Sequence, residues 1–297
     1  MTDHIPVLLD EVMDLASGAA RVVDGTVGFG GHAAALSAPG RSILGIDRDP
    51  EALAATRARL SESVELIEGA FGDELVLHAV GRFKPDFVLL DLGVSSVQFD
   101  LDERGFSFRP GAPLDMRMAG VGRTAAEWLN EAMVEELAAA FRDLADERHA
   151  RRLARAIDRR RRNAPFETAD DLVNAIREVR GARSGPSDFA RLFQAVRIVV
   201  NDELGQLSHA LPALRDALQN DGILAVISYH SGEDRIVKHQ FREWARACVC
   251  PPQVPICSCR GIPLGTILFS KPVRPTDAEV ETNPRARSAR LRAFRVA

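Results

Sequence analysis

Aromatic hydroxyls are nearly missing: one Tyr stands against 14 Phe in 297 residues, with two Trp. That excludes a binding surface built on stacked Tyr platforms. No apolar run is long enough to cross a bilayer. The start, Met1-Thr2-Asp3-His4-Ile5-Pro6, shows no basic segment leading into an apolar one, so it does not read as a secretory signal. These two absences predict a cytoplasmic protein. A dominant charge is lacking too. A formal net charge of −4 gives no global basic field, so any nucleic-acid surface has to be local. Cysteine is scarce, and its four residues lie together as Cys248-Val249-Cys250 and Cys257-Ser258-Cys259. Four thiolates suit a tetrahedral zinc, but zinc sites usually space paired ligands by two to four residues. Three Pro also crowd the stretch between the pairs. The spacing therefore favours reduced thiols in a surface loop, with no stoichiometric zinc.

What is present centres on Arg21-Val22-Val23-Asp24-Gly25-Thr26-Val27-Gly28-Phe29-Gly30-Gly31-His32. Val22 and Val23 give strand character. Gly28, Gly30 and Gly31 let the backbone turn sharply and approach a ligand. Ala33 to Leu36 then continue as helix formers. A second strand, Ser42 to Ile46, ends at Asp47, about 20 residues past the turn, where nucleotide-binding sheets place a ribose-binding carboxylate. Gly28 to Ala33 satisfies G-x-G-x-x-[GA], the dinucleotide fingerprint. The same turn serves S-adenosylmethionine equally well, and the glycines also suit a plain strand-to-helix turn.

Further along, Asp49-Pro50-Glu51 reads as a helix start. Val64 to Glu68 is a third strand, and Phe87 to Asp91 a fourth, apolar on both faces as a central parallel strand must be. Strands alternating with helices predict a doubly wound α/β sheet. From about Leu101 to Leu204 no strand is convincing. Thr124 to Glu127 is a capping box, Thr168 to Asp171 caps another helix, and the stretch reads as an inserted helical domain. The sheet resumes at Gly222 to Tyr229. Gly265 to Phe269 and Ala289 to Val296 follow as strands, with no helix fitting between them, so an antiparallel pair is expected at one sheet edge. That ending favours the methyltransferase form of the sheet over the dinucleotide form. The expected division is 1–103 and 205–297 for the sheet domain and 104–204 for the helical one, on the RNA-substrate side.

In such sheets the ligand sits beyond the carboxyl ends of the strands. There Asp47 is placed to accept the ribose hydroxyls and Phe71 to stack on adenine. Asp91 is placed to face the methionine amine or the reacting centre. Phe71 also reads as a core aromatic, and Asp91 as a helix cap. Ser231 and Asp234 fit a capping box after the Tyr229-His230 turn.

Three ordered stretches, Asp24 to His32, Leu44 to Pro50 and Leu89 to Gln98, resemble the MraW/RsmH family. These are the small-subunit ribosomal RNA cytosine-N4 methyltransferases. Arg104 to Phe108, Pro113 to Met118, Phe193 to Ile198 and Asn283 to Ser288 extend the likeness over nearly the whole chain. The resemblance implies a class I adenosylmethionine-dependent methyltransferase fold with an inserted all-helical domain. It implies S-adenosylmethionine as cofactor, held by Gly30, Gly31, His32, Asp47, Phe71, Asp91 and Gln98. The acceptor it implies is the N4 amine of a cytidine in the decoding region of 16S ribosomal RNA, within the small ribosomal subunit. One departure is Gly232, where the family usually has Leu.

The mechanism implied is in-line attack of the amine on the sulfonium methyl. Close positioning supplies much of the rate, and an acceptor for one N–H takes developing charge. Asp91 is the candidate catalytic residue. It is followed by Leu92-Gly93-Val94 rather than the Pro-Pro-aromatic of many amino-methylating enzymes. Phe106, Phe108 and Tyr229 are then candidates to stack on the base. For RNA, eight Arg fall between Arg148 and Arg162 against Asp158 alone. Ala150, Leu153, Ala154 and Ile157 repeat at helical spacing, leaving Arg148, Arg151, Arg155 and Arg159 on the other faces. The alternative is a solvated face paired with the acidic segment 127–147. Arg285 and Arg287 begin a second candidate phosphate surface.

Overall fold

The β-branched and apolar runs become the strands of one sheet in the computed structural model, which describes residues 6–60, 64–95, 99, 101–181, 183–250 and 259–297. Strands β1 (Arg21–Asp24), β2 (Ser42–Asp47), β3 (Val64–Glu68), β4 (Phe87–Asp91), β5 (Ile223–Ser228), β6 (Gly265–Ile267) and β7 (Arg290–Val296) lie in the order β3-β2-β1-β4-β5-β7-β6. The first five are parallel, and β7 inserts antiparallel between β5 and β6. This is the class I methyltransferase order, with its switch point between β1 and β4. Phe87, Val88, Leu89 and Leu90 of β4 are all fully buried. Each such side chain contributes about 1.5–3 kcal/mol by leaving water, which is why β4 sits at the centre.

The chain divides into two compact units, residues 1–93 with 204–297, and residues 94–203. The first unit thus ends at Gly93 rather than at 103. Its helices α1 (Leu9–Leu15), α2 (Gly31–Leu36), α3 (Pro50–Arg59) and α4 (Glu74–Phe83) follow the early strands. Asp49 caps α3, its carboxylate accepting from the Glu51 N–H at 3.0 Å ahead of Pro50 at the first turn.

The second unit holds α5 (Ala125–Glu131), α6 (Val134–Ala145), α7 (Ala150–Arg161), α8 (Ala169–Arg180) and α9 (Pro186–Val200). Its only β pairing among the described residues is an isolated bridge, Pro113 to Thr168. The Thr124–Glu127 box closes as the spacing predicts, with bonds of 3.1 and 2.8 Å. At the start of α8, Asp171 accepts from the Thr168 N–H at 2.9 Å. Leu153, Ala154 and Ile157 of α7 pack into one core with Phe141, Leu172 and Leu192.

Helix α10 (Glu203–Ala217) leads back to β5, and α11 (Ser231–Trp244) follows it. One expectation fails here. A short helix, α12 (Asp277–Thr282), and a 3-10 turn, Pro284–Ser288, do stand between β6 and β7. Their apolar content is too small to leave a periodic signal: Ala286 is the one fully buried residue of the two. No described helix is long and apolar enough to cross a membrane.

Candidate active site

Three carboxylates end three adjacent parallel strands: Asp47 on β2, Asp24 on β1 and Asp91 on β4. The turn after β1 stays tied to both neighbours. The Gly25 N–H donates to Leu89 O at 2.9 Å, and the Val27 N–H to Ile46 O at 2.8 Å. Gly28 and Gly30 adopt φ of 51° and 78°, the left-handed region that glycine enters freely. At Gly30 a Cβ would lie 3.1 Å from Thr56 Oγ1, so the turn also needs the missing side chain. Thr56 pins this turn from α3, its hydroxyl donating to Gly28 O at 2.6 Å.

Asp47 buttresses the same turn. Its two oxygens accept the Gly28 N–H at 2.8 Å and the Asp49 N–H at 2.9 Å. Each oxygen keeps a lone pair for a further donor. Burial pushes the Asp47 carboxyl up, while the Asp49 and Gly28 amides pull it back.

Asp91 is held on several sides. Its N–H donates to Thr26 Oγ1 at 2.6 Å. The Tyr229 hydroxyl donates to Asp91 Oδ1 at 2.8 Å, and His32 Nδ1 lies 3.7 Å from Asp91 Oδ2. The other ring nitrogen of His32, Nε2, donates to Val7 O at 3.0 Å, which orients the imidazole. Burial raises the Tyr229 phenol well above 10, and the Asp91 charge and hydrogen bond add to that. Tyr229 therefore stays a neutral donor.

Asp24 is the residue that sequence reasoning passed over. It is 1% exposed, and its carboxyl is pushed up to about 7. Burial is the main cause, offset by His32 and the Thr26 N–H and reinforced by Asp91 and Asp47. Such shifts gather where a site is arranged to hold or exchange charge. The acid before Gly25-Thr26 was visible in the sequence, but nothing there showed how deeply it is buried.

Comparison with known proteins settles the family. The model of the MraW methylase family matches residues 1–297. The chain belongs to the MraW methylase family. A relative in Gemmatimonas aurantiaca, ribosomal RNA small subunit methyltransferase H, is 54% identical, over 100% of this chain and 96% of its own length. The protein of the same name in Heliobacterium modesticaldum is 47% identical, over 98% and 97%.

In this methylase the expected site residues are distributed as follows. Gly30 lies in the turn just described, Gly31 and His32 open α2, and Asp47 and Asp91 end β2 and β4. Phe71 follows β3, 8% exposed, and packs with Val76, Leu92 and Leu207 in the core of the sheet unit. Gln98 lies outside the described residues. Two stacking candidates are corrected. Phe106 is buried in the core of the helical unit. Phe108 packs edge-on against Phe189 and Phe193, with ring centroids 5.8 and 5.9 Å away. Apolar packing claims both rings.

The cap after β5 also differs from expectation. His230, not Ser231, is the N-cap of α11. Its Nδ1 accepts the Gly232 and Glu233 N–H groups at 3.2 and 3.4 Å. Glu233 accepts in return from the Tyr229 and His230 N–H groups. Asp234 instead pairs with Arg292 at 2.7 Å and Arg290 at 3.4 Å on β7. Gly232, the departure from the family pattern, lies where a Cβ would come within 3.0 Å of His230 Nδ1. A larger residue there presses on this cap.

Of the basic candidates, Arg148, Arg151, Arg155, Arg285 and Arg287 are exposed. Arg159 is exposed too but pairs with Glu178 of α8 at 2.6 Å. Its partner is therefore on α8, outside the acidic segment 127–147.

Proposed function

We propose that this methylase transfers a methyl group from S-adenosyl-L-methionine to the exocyclic N4 amine of a cytidine in the decoding region of 16S ribosomal RNA. The observation that carries the reading is the trio of strand-end carboxylates around the glycine turn. The cofactor brings a sulfonium and an ammonium, and a row of acids at the switch point, Asp24 buried and Asp47 and Asp91 half-buried, complements both. Asp47 takes the ribose hydroxyls on its two remaining lone pairs. Gly30 and Gly31 let the backbone come close, and His32 fixes Asp91. Phe71 and Gln98 complete the cofactor contacts. The names of the curated relatives support a small-subunit ribosomal RNA as acceptor.

Cytosine N4 is a weak nucleophile because its lone pair is delocalised into the ring. Positioning in line with the methyl therefore supplies much of the acceleration. Asp91, oriented by Tyr229 and His32, would accept one N–H hydrogen of the amine, offsetting the positive charge that methylation builds there and receiving the proton that is released. The target base leaves its stack to reach the site, which costs least in an irregular region. Arg148, Arg151, Arg155, Arg285 and Arg287 hold the surrounding phosphates.

Small ribosomal subunits from a strain lacking the enzyme are the substrate for the test. With labelled cofactor, methyl should appear on one cytidine, as N4-methylcytidine by mass spectrometry of nuclease digests. Label on protein, on another base or on C5 of cytosine sinks the reading.

A further inference from the structure

The cysteine stretch gives a different result from its spacing. Cys248 and Cys250 follow the end of α11, and Cys259 returns just before β6. The Sγ atoms of all three lie within 4.8 Å of one another. A tetrahedral zinc with Zn–S bonds near 2.3 Å sets its sulfurs about 3.8 Å apart, so small side-chain rotations bring these three to ligand distance. We propose that Cys248, Cys250 and Cys259 bind one zinc ion.

Two further observations support a built site. The Val249 N–H points at Cys259 Sγ at 3.4 Å. An amide directed at sulfur stabilises a thiolate, the form that ligates metal. The frame around the sulfurs is also fixed independently of any metal. Arg260, next to Cys259, reaches back to the end of α11: its guanidinium bonds Glu243 Oε1 at 2.8 Å and Arg246 O at 2.9 Å there, and Ile262 O, two residues on, at 3.1 Å. The Leu264 N–H donates to Trp244 O at 2.8 Å. These bonds hold Cys259 against the Cys248–Cys250 turn, so little ordering is left for the ion to drive.

The spacing rule describes ligand pairs on one knuckle. In this chain the third ligand comes from the segment that returns ahead of β6, and Arg260 sets its position. Cys257, the remaining cysteine, lies outside the described residues. All-thiolate donors select zinc over the hard cations magnesium and calcium. Nothing in the methyl-transfer chemistry uses this ion. Binding releases the thiol protons, so occupancy falls in acid.

The test uses the tag-free full chain, purified under reducing conditions without chelator. Elemental analysis should find about one zinc per chain, as a single structural site requires. Cobalt added to the zinc-stripped chain should give the sulfur-to-metal charge-transfer band and intense visible bands of tetrahedral thiolate coordination. Cys248→Ser combined with Cys259→Ser should lose both the zinc and the bands, with circular dichroism unchanged. Wild-type protein that holds no zinc and gives no charge-transfer band with cobalt overturns the proposal. So does mass spectrometry finding these cysteines joined as disulfides. The cobalt spectrum of the wild type decides the matter even if the double variant fails to fold.

Discussion

At the scale of single residues, the site consists of acids kept in place by backbone amides and one phenol. Asp47 holds the turn, and in the proposed reading it also receives the ribose. Replacing it by Ala should weaken adenosylmethionine binding roughly 10- to 150-fold, the equivalent of about 1.5–3 kcal/mol for a charge-assisted pair. Titration calorimetry measures this, and unchanged affinity removes Asp47 from the site. Asp24 carries a pH signature. Its carboxyl is raised from 3.8 to about 7 by burial. Between those values the folded chain keeps a proton that the unfolded chain has released. The contribution of Asp24 to stability is thus fully present at low pH and lost as pH rises toward 7. Asp24→Asn removes that dependence, so its melting temperature should gain on the wild type between pH 4 and 8. A difference that stays flat over that range contradicts the assignment. The Asp47 carboxylate was legible from its place at a strand end, but the Tyr229–Asp91 bond and the Asp24 shift were not legible before the fold was known. Tyr229 and Asp91 are 138 positions apart, and the Asp24 shift comes from burial that no local pattern reports.

At the scale of elements, the sequence was legible wherever a pattern repeats within a few residues. The four early parallel strands, the Thr124 box and the buried stripe of α7 all follow from spacing. Elements settled by distant partners were not. His230 takes the cap of α11 because Asp234, which fits the local box, is drawn to Arg290 and Arg292 on β7. Glu147 is another long-range case. It is 2% exposed and sits between Arg180 of α8 and Arg191 of α9, each at 2.8 Å. Arg191 also donates to the Ala145 carbonyl at the end of α6. Burial pushes the Glu147 carboxyl up, but the His149 N–H and the two Arg outweigh it, and the net shift is down. The stability Glu147 adds is present above the ordinary carboxylate range and is lost as pH falls through it. Both Arg are partly exposed, so removing Glu147 strands charges that water still reaches. Glu147→Ala should cost roughly 1–3 kcal/mol at neutral pH, and less at pH 3. Hydrogen exchange should locate the loss in α6 to α9. Equal destabilisation at both pH values counts against the ion cluster.

At the scale of the whole molecule, a net charge of −4 hides a local basic helix. If α7 meets phosphate, Arg148→Gln, Arg151→Gln and Arg155→Gln together should raise the KM for small subunits. They should leave adenosylmethionine affinity unchanged and flatten the salt dependence of methyl transfer by up to about three charges' worth of slope. Arg159 is left out because its guanidinium is engaged with Glu178. A KM and a salt slope equal to the wild type show that α7 does not contact the RNA. The sheet and its antiparallel ending were readable because each strand has its own apolar run. The short helix before β7 was not, since it buries too little.

The interruption of the sheet by residues 94–203 also sets a clock. β4 pairs with β5, yet it ends at Asp91 while β5 begins only at Ile223. About 130 residues must be synthesised in between, roughly 7–26 s at ribosomal speed. Through that interval a strand of four fully buried side chains waits with one edge unpaired, the condition that invites strand addition by another chain. The helical stretch meanwhile emerges complete, with every contact of its own core already available. A chain released between 204 and 222 would thus carry a finished helical core and half a sheet. Its vulnerable point would be Phe87–Asp91.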